Sequence, residues 1–349
     1  MRGGMRRPAR LAAALLALLV VSSAAGAAKP APSWAKAEIA TVVAQGLMAP
    51  DAASFRPDDA LTRGELAELV TGLTGLPQPA PADPIATVTL AELDARLVRT
   101  LGLQDAAAAF TTGARSAGLA PPGRFGTEVV ARLLGVRTNH PAAQDALELR
   151  PNDPVTRAEA AYSAAKILRF RGGEADAVRA AAATFALPEL TTWQRAILGK
   201  AFSFVGFPYV WGGESENRTG PYGPQAQGGF DCSGFVWRVY KLQPYPGAAA
   251  LAATLRGRTT FAMSAEVAAP KRIPFAQLVP GDVVFFGAKG PRSKPAQVDH
   301  MGIAVGNGWM VHSSSAGTTL VPLTGWYRER FAWARRPLAE AGLDAPPVG

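Results

Sequence analysis

Apolar and polar positions along the chain change their period more than once. Leu11 to Val21 is an unbroken apolar run of eleven residues. From Ser33 to about Arg171 the apolar positions recur at helical spacing, with Ile39, Val42, Val43 and Leu47 on one face. A loop with Phe55 and Pro57 follows. Leu61-Thr62-Arg63-Gly64-Glu65 then opens a second helix, with Thr62 as N-cap and Glu65 closing a capping box three residues on. The same design returns at Leu149 to Glu159, where Thr156 and Glu159 repeat the cap. Residues 85–103 read as the second helix of a degraded middle unit that lacks the Thr-Arg-x-Glu signature. The chain therefore holds a helix–loop–helix repeat over 33–171. An Ala-rich linker helix is expected over 172–190. Beyond it the spacing mixes helical and strand periods. One helix runs through Trp193, Ile197 and Phe202, and another through Phe235, Val236, Val239 and Tyr240. Gln297 to Val305 alternates: Met301, Ile303 and Val305 share one strand face, and His300, Gly302 and Ala304 the other. The expected fold is an all-α repeat domain followed by an α+β domain over 191–337.

The first 27 residues change that picture only at its start. Arg2, Arg6, Arg7 and Arg10 precede the apolar run, and Ala25-Gly26-Ala27 follows it as an A-x-A cleavage site. Residues 1–27 read as a signal peptide, which makes the protein secreted. The run is too short to span a bilayer comfortably, so no membrane span is expected once the signal is removed. The formal charge is +9, and removing the signal leaves 32 basic against 27 acidic residues. That modest excess suits a place beside anionic wall polymers. No basic run with interleaved aromatics points to nucleic acid.

Cysteine use narrows the chemistry. One Cys in an exported chain cannot form an internal disulfide, and a lone thiol outside the cytoplasm is open to oxidation. Cys232 lies in Gly229-Phe230-Asp231-Cys232-Ser233-Gly234, where Asp231 is an N-cap candidate and Cys232 enters the first helical turn. Unpaired N–H groups and the dipole there are expected to lower the thiol pKa and to receive an oxyanion. His300, followed on its strand face by two small residues, is the candidate base. One Cys and two His in this order, with no acidic ligand following, make a poor zinc site, so no metal and no cofactor are expected.

Register decides whether His312 joins them. A two-residue Asn307-Gly308 turn pairs Ile303 with His312 and puts His312 on the wrong face. A three-residue loop with Gly308 left-handed pairs Gly302 with His312 and brings it diagonal to His300. The expectation is a bulged turn with Gly308 at positive φ.

Two families are resembled. Residues 33–75 resemble an S-layer homology unit through Trp34-Ala35, Gly46-Leu47, Phe55-Arg56-Pro57 and Leu61-Thr62-Arg63-Gly64-Glu65. The resemblance implies binding of secondary wall polymers, with Arg63 and Arg157 in the matching arginine position. Residues 191–337 resemble the NlpC family of cell-wall peptidases, which has a reduced papain-like fold. Gly206 to Gly213, Asp231-Cys232-Ser233-Gly234, Pro280 to Phe286, His300-x-Gly302-Ile303, Val311-His312 and Phe331 to Arg336 match in order. The resemblance implies Cys232 as nucleophile, His300 as base, His312 as its orienting partner and Tyr209 as a hydroxyl near the thiol. Asp231, Ser233 and Trp211 become substrate-binding candidates. Seventeen residues, 214–230, form a longer loop than the family pattern and are expected at the cleft rim.

These readings imply a thiol endopeptidase of peptidoglycan stem peptides, cutting between D-glutamate and a diamino acid. The alternatives are an N-acetylmuramoyl amidase or an acyltransferase on the same fold, and a non-catalytic wall-binding protein.

Overall fold

The computed structural model describes residues 33–344, so the expected signal peptide lies outside the described residues. Three capped helices organise the N-terminal part. They are α2 (Arg63–Thr74), α3 (Leu90–Thr100) and α6 (Arg157–Leu168), capped by Thr62, Thr89 and Thr156. Each threonine hydroxyl accepts the N–H of the glutamate three residues on: Glu65, Glu92 and Glu159. The residues just before the caps close a ring of backbone hydrogen bonds. Leu61 N–H donates to Val155 O, Val155 N–H to Val88 O, and Val88 N–H to Leu61 O. The arrangement is a pseudo-threefold in which positions 63, 90 and 157 are equivalent. The degraded middle unit thus keeps its cap and its place in the ring, but Leu90 stands where the other two carry arginine.

Helix α1 (Lys36–Ala44) packs on α6, and Ile39, Val42, Leu61, Leu69, Leu93 and Ala161 share one core. Helices α4 (Gln104–Ser116), α5 (Phe125–Leu133) and α7 (Gly173–Thr184) belong elsewhere. Their apolar faces join a core continuous with the C-terminal part, where Trp309 meets Phe110 and Phe185 edge to face. The core therefore runs through residues 172–190, the stretch expected as a linker helix.

Arg157 requires a correction. It was expected to face a polymer, but its side chain is 3% exposed. Nε donates to Phe55 O at 2.8 Å, Nη2 to Met48 O at 2.6 Å, and Nη1 to Glu65. A guanidinium occupied on three sides by the fold cannot also receive a ligand.

In the C-terminal part, α8 (Thr192–Ser203) leads to two small hairpins: β1 (Glu214–Ser215) with β4 (Gly229–Phe230), and β2 (Thr219–Gly220) with β3 (Gly223–Pro224). Helix α9 (Cys232–Trp237) follows and continues as a π-helical turn, Arg238–Leu242. Then come α10 (Leu251–Thr254) and α11 (Thr260–Ala265). A five-stranded antiparallel sheet closes the fold in the order β8 (Gly317–Pro322), β7 (Trp309–Ser314), β6 (Val298–Gly306), β5 (Val283–Gly287), β9 (Phe331–Arg335). Helix α12 (Gly325–Arg330) lies between β8 and β9. The chain is α-helical first and α+β after.

The β6–β7 hairpin reaches the expected register by another route. The turn is two residues, Asn307 and Gly308, with φ of +49° and +76°, and Gly306 pairs with Trp309. A bulge between Ala304 and Gly306 then inserts Val305 and shifts the pairing by one, so that Ile303 faces Val311 and Ala304 faces Met310. The extra residue sits in the strand, not in the loop, because Val305 is fully buried there. In this register Gly302 stands opposite His312. A Cβ at 302 would lie 3.0 Å from His312 Cβ and from Met310 Sδ, so only glycine lets the histidine strands approach this closely.

Candidate active site

Cys232 is the first residue of α9, which packs across β6 and β7. The segment before it is stitched in place. Asp231 N–H donates to Gly213 O at 3.0 Å, Phe230 bridges to Tyr209, and Ser313 Oγ donates to Phe230 O at 2.7 Å. These bonds fix the thiol relative to both the Tyr209 segment and the sheet. Cys232, Tyr209 and His300 then line one cleft of about 780 Å³, with Trp211, Trp326 and Tyr327 on its walls.

Within the cleft the two histidines form a pair. His300 Nε2 meets His312 Nδ1 at 2.7 Å, with the rings at 81°. His312 is fully buried. Burial pushes His300 down to about 4, helped by the Arg330 guanidinium and opposed by Asp299, which is ion-paired to Arg330. Burial, then the neighbouring His300, holds His312 well below the ordinary histidine range. Both rings are therefore neutral near pH 7.

The thiol departs from expectation. Burial pushes it up to about 11, and the adjacent Asp231 carboxylate adds to the shift. The Thr260 hydroxyl, 3.4 Å from Sγ, and the N–H groups of Met301 and Ser233 oppose it. The helix N-terminus does not win, because Cys232 is only 8% exposed and the cap beside it is itself an anion. The resting site holds a neutral thiol beside a neutral imidazole. The N–H groups of Met301 and Ser233 are directed at the sulfur.

Tyr209 is half-buried on the cleft wall. Burial, then Cys232, raises its hydroxyl well above the usual tyrosine range, so it is a neutral donor. Trp211 is 72% exposed at the mouth. Asp231 and Ser233 are placed differently from the substrate-binding expectation. Asp231 Oδ1 accepts from Gly234 N at 2.5 Å and from Ser233 Oγ at 2.8 Å, and Arg258 Nη1 donates to Ser233 Oγ at 2.8 Å. Both side chains brace the nucleophile helix, and neither lines the cleft.

The rim also differs. Residues 214–230 do not line the cleft. Glu214 and Glu216 tie that loop to Arg258 and Arg238 behind it. The wall comes instead from the helical part, from Asn139, His140, Pro141 and Ala142. Asn139 Nδ2 donates to Tyr209 O at 2.9 Å and Asp145 accepts from Trp211 N at 3.1 Å. Sequence reasoning missed Asn139, Arg258, Thr260 and Tyr327. Only Thr260 carried a readable local signal, since Thr259 caps the short helix it begins. Among the described residues no group of three or more His, Cys, Asp or Glu could hold a metal ion, and no helix is long and apolar enough to cross a membrane.

The model of the NlpC/P60 family matches residues 206–336, the stretch that carries Tyr209, Cys232, His300 and His312. Residues 206–336 are an NlpC/P60 domain. The S-layer homology domain model matches residues 28–67. The chain is 32% identical over 145 residues to the probable peptidoglycan endopeptidase LytE of Bacillus subtilis (strain 168), covering 40% of this chain and 33% of that one. It is 30% identical over 123 residues to the gamma-D-glutamyl-L-lysine dipeptidyl-peptidase of the same organism, covering 35% and 32%. The chain thus spans about a third of the length of these relatives. A solved NlpC/P60 family protein from Bacillus cereus ATCC 10987 is 26% identical, with a TM-score of 0.32 over 44% of this chain and 42% of that one.

Proposed function

We propose that the protein is an exported cysteine endopeptidase that cuts peptidoglycan stem peptides between D-glutamate and a diamino acid. The observation that carries the reading is the common cleft of Cys232 and His300, with His312 bonded to His300 from behind. In this reading Cys232 Sγ attacks the amide carbon while its proton passes to His300. His300 then gives that proton to the leaving amine, and water hydrolyses the thioester. Tyr209 and the N–H groups at the sulfur receive the oxyanion, and Trp211 bounds the substrate at the mouth. The choice of bond draws support from the name of the dipeptidyl-peptidase relative.

The helical part is proposed to hold the enzyme at the wall by binding an acidic secondary polymer. Arg63 remains a candidate contact: it is exposed and borders a groove with Arg96 and Arg99. Arg157 is withdrawn from that role.

Digestion of purified peptidoglycan by the protein and by Cys232→Ala, read by mass spectrometry, tests the enzyme reading. Stem fragments cut after D-glutamate by the unmodified protein alone are the expected result. Products cut at the sugar–peptide junction would move the assignment to an amidase. Absence of any Cys232-dependent product from several wall types would overturn the hydrolase reading.

A further inference from the structure

His312 has a neighbour at each ring nitrogen. Nδ1 meets His300 Nε2 at 2.7 Å, and Nε2 meets the phenol oxygen of Tyr327 at 3.4 Å. Tyr327 comes from α12, lines the cleft, and stands edge-on to the His312 ring at 5.3 Å and 87°. It lies in Gly325-Trp326-Tyr327, a stretch outside every motif read from the sequence.

One proton lies between His300 Nε2 and His312 Nδ1, so the neutral pair has two arrangements. In the first, His312 Nδ1 carries that proton, and neutral His300 must keep its own on Nδ1. His300 then has no lone pair for the thiol. In the second, His300 Nε2 carries the shared proton and His300 Nδ1 is free. Neutral His312 is then protonated at Nε2, facing Tyr327. Only the second arrangement survives the reaction. Once His300 has taken the thiol proton it bears N–H on both nitrogens, and His312 Nδ1 must be an acceptor.

We propose that Tyr327 is a positioning residue whose phenol oxygen accepts the His312 Nε2–H and so holds both histidines in the tautomers that let His300 take the Cys232 proton. The inference rests on the reading of His300 as the base. In the step it supports, the S–H bond breaks, the proton moves to His300 Nδ1, and the sulfur electron pair forms the new C–S bond. The Tyr327 hydroxyl proton points away from His312, towards the cleft. Asp299 and Arg330 bias His300 from the other side; at the Nε2 edge of His312, among the described residues, the polar contact is Tyr327.

The test is long-range 1H–15N correlation on histidine-labelled full-length protein, paired with steady-state kinetics of Tyr327→Phe and His300→Gln. The expected result is an Nε2–H tautomer for His312 in the unmodified protein and a shifted tautomer balance in Tyr327→Phe. That variant should lose about tenfold in kcat with KM unchanged, the worth of one hydrogen bond in a chain that becomes charged. An Nδ1–H tautomer for His312 in the unmodified protein overturns the proposal without any variant. So does Tyr327→Phe with tautomer and kcat unaltered while His300→Gln is inactive. Full activity in His300→Gln would remove the base reading itself, and this inference with it.

Discussion

Arg63 and Arg157 occupy equivalent places in the pseudo-threefold of the helical part, yet they live differently. Around the ring, two of the three units offer an arginine to the glutamate cap of the next. Arg157 reaches Glu65, and Arg63 reaches Glu92 at 3.2 Å. The third unit has Leu90, so Glu159 lacks its arginine from the ring. Arg137, at 3.5 Å, and His140, at 3.0 Å, take that place from the α5–α6 connection. The buried carboxylates of this region are each paired with opposite charge: Asp94 with Arg137, Glu128 with Arg132, and Glu159 with Arg137 and His140. The cleft is built on the opposite rule. Among the described residues, Cys232 Sγ has one side-chain hydrogen-bond partner, the Thr260 hydroxyl, and the side-chain hydrogen bond of His300 is the one to His312. Two histidines of one chain make the contrast plain: His140 also borders the cleft, but its Nε2 is held by a carboxylate. The helical part sets charge against charge, while the cleft sets neutral groups beside open space.

The largest expected effect attacks the charge-paired side. Arg137 bonds Asp94 at 3.2 Å as well as Glu159, and its side chain is 4% exposed. Arg137→Ala takes the guanidinium from buried Asp94 and Glu159, and should cost about 3 kcal/mol of stability. Thermal unfolding of full-length protein reads this directly. His300→Ala should show the reverse, with activity lost and the melting temperature nearly kept. If the two variants lost stability equally, the division between closed and open polar groups would fail.

A second test acts on the open side. With the thiol pushed up to about 11 and His300 down to about 4, the ligand-free protein favours a neutral thiol and a neutral imidazole over a thiolate–imidazolium pair. Iodoacetamide should therefore label Cys232 slowly at pH 7, and the rate should climb about tenfold per pH unit until it bends near the folded thiol pKa. A plateau already reached at neutral pH would mean that the helix end and His300 hold the sulfur ionised, as the sequence pattern alone suggested.

That thiol shows where the sequence stops being readable. Local rules carried far. The capping box at Thr62, its repeat at Thr156, the Asp231 cap and the alternation that puts His300 and Met301 on opposite strand faces are all interactions within a few residues. The Gly302–His312 register was legible too, because face matching constrains it, but the bulge at Val305 was not, since burial against distant residues selects it. Burial also decides the thiol. No spacing rule reveals that Cys232 will be 8% exposed, and desolvation then outweighs the helix end. The cleft wall at 139–142 was hidden for the same reason. It lies some ninety residues before the nucleophile, and only the shared core of α4, α5, α7 and the sheet brings it there. Identical motifs concealed the arginines: Thr-Arg-x-Glu reads alike at 62–65 and 156–159, and packing alone separates them.

The smallest expected effect uses that pair. The Arg63 and Glu92 side chains are both 47% exposed, and an ion pair so open to water contributes at most about 0.5 kcal/mol. Arg63→Ala should thus leave the melting temperature within about 1 °C, in line with the small ΔΔG that removing an exposed pair produces. Its cost should appear in retention on isolated walls, because the groove of about 430 Å³ beside it keeps Arg96 and Arg99 but loses one of three cations. Retention should also weaken as salt rises, since exposed charges are screened within about 10 Å at 0.1 M. Arg157→Ala predicts the opposite pattern: a clear fall in melting temperature as Glu65, Phe55 O and Met48 O lose their donor. Equal retention by the unmodified protein and Arg63→Ala on polymer-bearing walls, at low salt, would leave Arg63 a surface brace like any other. The pseudo-threefold would then be a scaffold for the cleft wall and not an anchor.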